Sequence, residues 1–165
     1  MTYSAEAVAN RFLELADSAD HSLSNLKLQK LVYISQGLAL GMTGSSLIHN
    51  HVHAWQYGPV FPKLYKKLRR YGSGKVCEKI ESDDVVQPGT EADQIIKIVW
   101  EVYGDRSGSF LSTLTHEEDS PWSSAIEKEG VNAIIPLSDI ESHYSELVRK
   151  AQQEYEEEAV PAASI

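Results

Sequence analysis

Cysteine occurs once in the 165 residues, at Cys77. One thiol can neither close an internal disulfide nor build a Cys-based zinc finger, so the fold must rest on packing, and a reducing cytoplasm is its natural setting. Apolar runs such as Leu38-Ala39-Leu40 fall far short of the ~20 residues that span a bilayer. The start, Met1-Thr2-Tyr3-Ser4-Ala5-Glu6, has neither the basic region nor the apolar core of a secretory leader. A protein that is neither secreted nor membrane-bound is expected. No phosphate loop is present either: Gly72-Ser73-Gly74 is followed by Lys75 with no Gly-Lys-Ser/Thr ending, and nothing in the chain points to a cofactor.

What is there is ordinary globular material, 42% hydrophobic and 24% charged, in a length that suits one domain. The net charge of −9 argues against a general nucleic-acid coat, yet it is unevenly spread. Residues 1–80 carry ten Lys/Arg against five acids, and residues 81–165 carry five against nineteen. Solvated helix faces account for such a pattern, as do two faces that meet different things or each other.

The periodicity predicts mostly helices. Ser4 to Asp17 sets Val8, Phe12 and Leu15 at helical spacing behind an N-cap serine. Leu26 to Leu40 has a broad apolar face and is expected to stop at Gly41. A third helix is expected within Val60–Tyr71, a fourth from Thr90 through Tyr103, and a short one over Ser109–Thr115. Another starts at Ser120-Pro121-Trp122, where the indole should be buried, and ends at Gly130. A last helix starts at Ser138 with Glu141 closing a capping box. Strand-like residues occupy 48–57 and 76–80, with a tight turn at Gly58-Pro59. The expected fold is mainly α: one helical domain of about six helices with a two- or three-stranded β element, over residues 1–154, followed by an acidic tail over 155–165.

Few residues suggest chemistry. His49, His51 and His53 alternate as they would on one side of a strand, but no carboxylate nearby would orient them on a metal, and no metal site is predicted. His116, beside Glu117, Glu118 and Asp119, has the makings of a general base but no evident nucleophile, since Ser112 and Ser120 serve equally as helix caps. Lys27 and Lys30, after Ser22-Leu23-Ser24-Asn25, would open a recognition helix, but that helix is too apolar to face base edges. The basic run Lys63, Lys66, Lys67, Arg69 and Arg70, with the aromatics Tyr57 and Tyr65, is the predicted contact surface, because aromatic and arginine side chains dominate binding hot spots.

Four ordered blocks carry a resemblance. They are Leu26-Lys27-Leu28-Gln29-Lys30-Leu31-Val32-Tyr33, then Ala54-Trp55-Gln56-Tyr57-Gly58-Pro59-Val60, then Leu64-Tyr65 with Tyr71-Gly72, and last Leu114-Thr115-His116 with Ser120-Pro121-Trp122. In order and spacing they resemble the Panacea domain, the SocA-like antitoxin family, whose members are also described as GepA-like or phage-associated. The resemblance implies an antitoxin encoded beside a toxin, often on prophages, that neutralises the toxin by binding it. It further implies delivery of the toxin to a ClpXP-type protease. The recurring residues Lys27, Leu28, Gln29, Lys30, Leu31, Tyr33, Trp55, Gly58, Pro59, Thr115, His116, Pro121 and Trp122 read as scaffold, with Lys30 and Gln29 opposite or beside the apolar core face. Multi-domain antitoxins of this group can carry separate DNA-binding segments, for which residues 1–165 leave no room outside the domain. The expectation is a cytoplasmic binding protein and not an enzyme, with a toxin as partner. A DNA-binding regulator using helix 60–71 and an enzyme centred on His116 are the alternatives; oligomeric state is left open.

Overall fold

The computed structural model describes residues 1–159. The helices are α1 (Ala5–Ser18), α2 (Asn25–Thr43), α3 (Pro62–Leu68) with a 3-10 turn at Arg69–Tyr71, α4 (Glu91–Tyr103), α5 (Gly108–Thr115), α6 (Pro121–Glu129) and α7 (Leu137–Ala159). A two-stranded antiparallel sheet, β1 (His53–Trp55) and β2 (Gly58–Val60), precedes α3. The fold is therefore mainly α, with seven α-helices among the described residues. None of them is long and apolar enough to cross a membrane.

Everything is arranged around α2, which packs against α1, α4, α5 and α7. Leu28, Leu31, Val32, Tyr33 and Ile34 are buried along it, and so are the polar Gln29, Lys30, Ser35 and Gln36. Polar groups buried along a helix must be satisfied internally, and Gln36 does so by accepting from the Leu47 and Ile48 amides. The little surface that α2 leaves free is at its two ends. Gln29 and Lys30, expected opposite or beside the apolar face, are both buried.

The expected stop at Gly41 is overturned. A Cβ at Gly37 would lie 2.3 Å from the Tyr144 ring, and one at Gly41 would lie 2.6 Å from the Tyr144 backbone. These glycines let α7 approach α2. The helix ends at Gly44 instead, at φ +73°, where the amide bonds the Leu40 carbonyl.

The β element also departs from expectation. The two-residue turn is Gln56-Tyr57, and Gly58-Pro59 belongs to β2, with Trp55 opposite Gly58. The far side of β1 bonds residues 132–135 through Ala54 N to Ala133 O, Asn132 N to Ala54 O and Ile135 N to Val52 O. Residues 76–80 form no strand, because their backbone groups are claimed elsewhere: the Val76 amide donates to the Leu23 carbonyl, and the Asn10 side chain binds both backbone groups of Ile80. The capping box at Ser138 is not formed, since α7 already begins at Leu137 and the Asp139 and Ile140 amides donate to the Pro136 carbonyl. Beyond Glu154, α7 continues exposed to Ala159, and the rest of the expected tail, 160–165, lies outside the described residues.

Candidate binding groove

The β1–β2 turn is clamped from beneath. Lys30 of α2 donates its Nζ proton to the Pro59 carbonyl at 2.9 Å, and Gln29 Oε1 accepts from the Phe61 amide at 3.0 Å. Ser112 of α5 donates its hydroxyl to the Tyr57 carbonyl at 2.7 Å. All three side chains are buried, so the polar backbone of residues 57–61 is bound by a fixed set of partners. Gly58 sits at φ +109°, and a Cβ there would lie 3.3 Å from both Lys30 Nζ and Thr115 Oγ1, which is why this position takes glycine.

The two tryptophans lock the other side. Trp122 Nε1 donates to the Trp55 carbonyl at 2.7 Å, and Trp55 Nε1 donates to Asn132 Oδ1 at 3.0 Å. Trp55 meets Tyr65 edge to face with ring centres 5.0 Å apart, and His116 leans on Trp122 at 5.2 Å. Neither indole is fully buried: the expected burial of Trp122 is partial, and Trp55 faces a groove.

That groove, about 830 Å³, runs between the start of α2, the β1–β2 turn, α3 with its 3-10 turn, and α5. Tyr57, Tyr65 and Arg69 of the predicted contact set line it, together with Gln29, Lys30, Trp55 and His116. The remaining cations lie elsewhere. Lys63 and Lys67 face a cleft with Glu6, Glu81, Asp83 and Asp84, where Lys67 pairs with the buried Glu6 at 3.4 Å and donates to the Glu81 carbonyl. Arg70 lies over Tyr71 and pairs with Glu78, while Lys66 is exposed. Because α3 buries Leu64 and Leu68, its cations split onto two sides.

The other recurring residues make contacts within the fold. Lys27 donates to the Gly104 carbonyl, Leu28 and Leu31 are core, Tyr33 packs against Tyr144, Thr115 bonds the Leu111 carbonyl and Pro121 opens α6. Burial of Lys30, with no carboxylate paired to it among the described residues, pushes its amine down to about 7. Sequence reasoning missed the wall that α5 provides, although Ser109, Ser112, Thr113 and His116 repeat at helical spacing as a polar stripe.

His116 sits at the groove wall beside Ser112. Its Nδ1 lies 3.4 Å from Ser112 Oγ, but the Ser112 hydrogen is committed to the Tyr57 carbonyl, and Glu117, Glu118 and Asp119 stay exposed without orienting the ring. Of the three alternating histidines only His53 lies in a strand, with Nδ1 within 3.2 Å of the Asn132 carbonyl. No group of three or more metal-ligating side chains comes together among the described residues.

The family model of the antitoxin SocA-like Panacea domain matches residues 28–123. Antitoxin SocA of Caulobacter vibrioides (strain NA1000 / CB15N) is 31% identical over 137 residues, which cover 78% of this chain and 73% of that protein. No solved structure matches the chain.

Proposed function

Because the chain belongs to the SocA-like antitoxin family, Panacea domain, we propose that it neutralises a cognate toxin by binding it directly through the face that carries Trp55, Tyr57, Tyr65 and Arg69. The observation that carries this reading is the mounting of that face. Tyr57 is 65% exposed at the tip of a turn whose backbone is held by Lys30, Gln29 and Ser112. An exposed aromatic on a rigid support loses little conformational entropy on binding and offers a large contact area. The groove holds ready-made contact surface, and its one hydroxyl–imidazole pair, Ser112 with His116, has the hydroxyl hydrogen committed to the Tyr57 carbonyl, which favours the reading of a binding protein.

The test is the neighbouring open reading frame. Its product should be toxic when expressed alone, silenced when this chain is co-expressed, and captured by this chain in a pull-down. Tyr57→Ala should weaken capture while leaving the melting temperature within a degree or two, since an exposed side chain contributes little to folding. The same binding act serves occlusion of the toxin and delivery to a ClpXP-type protease alike; a toxin half-life in cells that shortens when the chain is present distinguishes delivery.

A further inference from the structure

The chain has 24 acidic residues against 15 basic ones, yet among the described residues no Asp or Glu lines the groove, while Lys30, Arg69 and His116 do. Lys30 is wholly buried in the groove floor and, among the described residues, pairs with no carboxylate and has one acceptor, the Pro59 carbonyl, for three hydrogens. Burial without a counter-ion disfavours the charged form of this amine, and an anion in the groove would favour it again. At the rim, the Arg69 guanidinium makes no ion pair or side-chain hydrogen bond among the described residues.

The walls are of another kind. Leu26, Val60, Trp55, Tyr57 and Tyr65 give an apolar and aromatic lining. Strand addition to β2 is not available, because the Pro59 carbonyl and Phe61 amide are already taken by Lys30 and Gln29. An occupant must be recognised by side chains laid into the groove, some apolar and at least one anionic.

We propose that the groove between α2, α5 and the β1–β2 turn seats a segment of the toxin that combines acidic and apolar side chains. A carboxylate of that segment lies over Lys30 within reach of Arg69, and its apolar neighbours pack on Trp55, Tyr57 and Tyr65. The proposal rests on the antitoxin reading and adds to it the place and chemistry of recognition. A carboxylate over the groove floor compensates Lys30 without contact, since a charge buried in low dielectric acts over several ångströms.

The experiment measures binding of the full chain to the purified product of the adjacent gene, and to peptides tiled across that product. Two variants alter the groove: Thr113→Trp fills it from an exposed position on α5, and Arg69→Glu reverses its rim charge. Lys128→Glu, exposed on α6 and outside the groove, is the control. Both groove variants should weaken binding by roughly 10- to 100-fold, with melting curves showing them folded, and the control should stay within about twofold. One tiled peptide, acidic and apolar, should compete, and should stop competing when its Asp and Glu are changed to Asn and Gln. Failure of the wild-type chain to bind the adjacent product would overturn the antitoxin reading, and this proposal with it. Wild-type binding that neither groove variant weakens overturns the groove alone. A chain that sediments as a dimer split by Thr113→Trp would show a second copy in the groove, and overturns the proposal equally.

Discussion

The Trp122 indole donates to the carbonyl of Trp55 at 2.7 Å across 67 residues of sequence, and this bond ties the start of α6 to the end of β1. Trp55 in turn packs its own ring on Tyr65, so one hydrogen bond fixes the depth at which the groove's central aromatic sits. Trp122→Phe keeps most of the ring and removes only the donor. It should cost about 1–2 kcal/mol and weaken toxin capture more than that loss of stability explains, because Trp55 is no longer held. Trp122→Ala should cost about 2–3 kcal/mol, below the range for a fully buried indole. Denaturant melts beside binding measurements on the same preparations would check both, and toxin affinity untouched by Trp122→Phe would show that the bond does not position the groove.

A second prediction concerns Gly37 and Gly41. Alanine in a helix interior ordinarily gains about 0.5–1 kcal/mol over glycine, but here the added methyl meets Tyr144. Both Gly37→Ala and Gly41→Ala should lose roughly 1–3 kcal/mol or more. The obstacle differs, being the Tyr144 side chain at Gly37 and the Tyr144 backbone at Gly41. Tyr144→Ala should therefore rescue Gly37→Ala and leave Gly41→Ala unrescued. A thermal-melt double-mutant cycle reads this directly, and equal rescue at both positions would contradict the packing.

Titration of Lys30 gives a third. Its unfolded amine titrates near 10.5 and its folded amine near 7. Between these values the unfolded chain binds the extra proton, so stability rises with pH through that window, by up to about 1.4 kcal/mol per pH unit. Below it, both states are protonated and the full cost of the buried charge is present. Lys30→Met should flatten this part of the stability curve while losing the bond to Pro59. Chemical denaturation from pH 6 to 10 on both proteins tests the sign.

Asp93 works in the opposite direction. Its carboxylate is fully buried, and burial by itself would raise its pKa. Arg11 at 2.6 Å, the Gly89 amide at 2.8 Å and Lys97 at 3.2 Å outweigh this and hold it below the usual value. A depressed folded pKa gives stability that is present above the unfolded value and lost as pH falls through the folded one, so acid should weaken the α1–α4 contact below about pH 4. Asp93→Asn should cost roughly 1–3 kcal/mol at neutral pH by removing the charge from the bond to Arg11, which keeps Glu14 as its other partner, and should remove that part of the acid dependence.

Much of the architecture was legible because it follows from local rules. The N-caps Ser4, Thr90 and Ser120 each accept the expected amide, and Pro121 opens α6 as a first-turn proline should. What failed depended on distant partners. Gly41 reads as a stop until Tyr144, more than a hundred residues on, lies against it. Val76 and Ile80 read as a strand until Leu23 and Asn10 take their hydrogen bonds. The groove was half visible: Tyr57, Tyr65 and Arg69 were marked by type, but the burial of Lys30 and Gln29 and the wall from α5 arise only when α2 is surrounded.

The last prediction separates protein binding from DNA binding on α3, and the structure changes which cations should be tested. Lys67 holds the buried Glu6 and Arg70 pairs with Glu78, whereas Lys63, Lys66 and Arg69 have no ion pair among the described residues. Lys67→Glu should accordingly lower the melting temperature, because it sets two carboxylates against each other, one of them buried. Lys66→Glu with Arg69→Glu should leave the fold intact and slow association with an acidic toxin surface, an effect that shrinks as salt is raised. DNA phosphates would give another signature: log affinity falling with log salt by about −0.9 for each phosphate contacted. A chain of net charge −9 repels a polyanion over most of its surface, so the expected result is no shift of its own upstream DNA at physiological salt, beside retention of the adjacent gene product in a pull-down. A salt-sensitive shift by the chain alone, abolished by the Lys66 and Arg69 reversals and with no protein retained, would replace the antitoxin reading with that of a regulator.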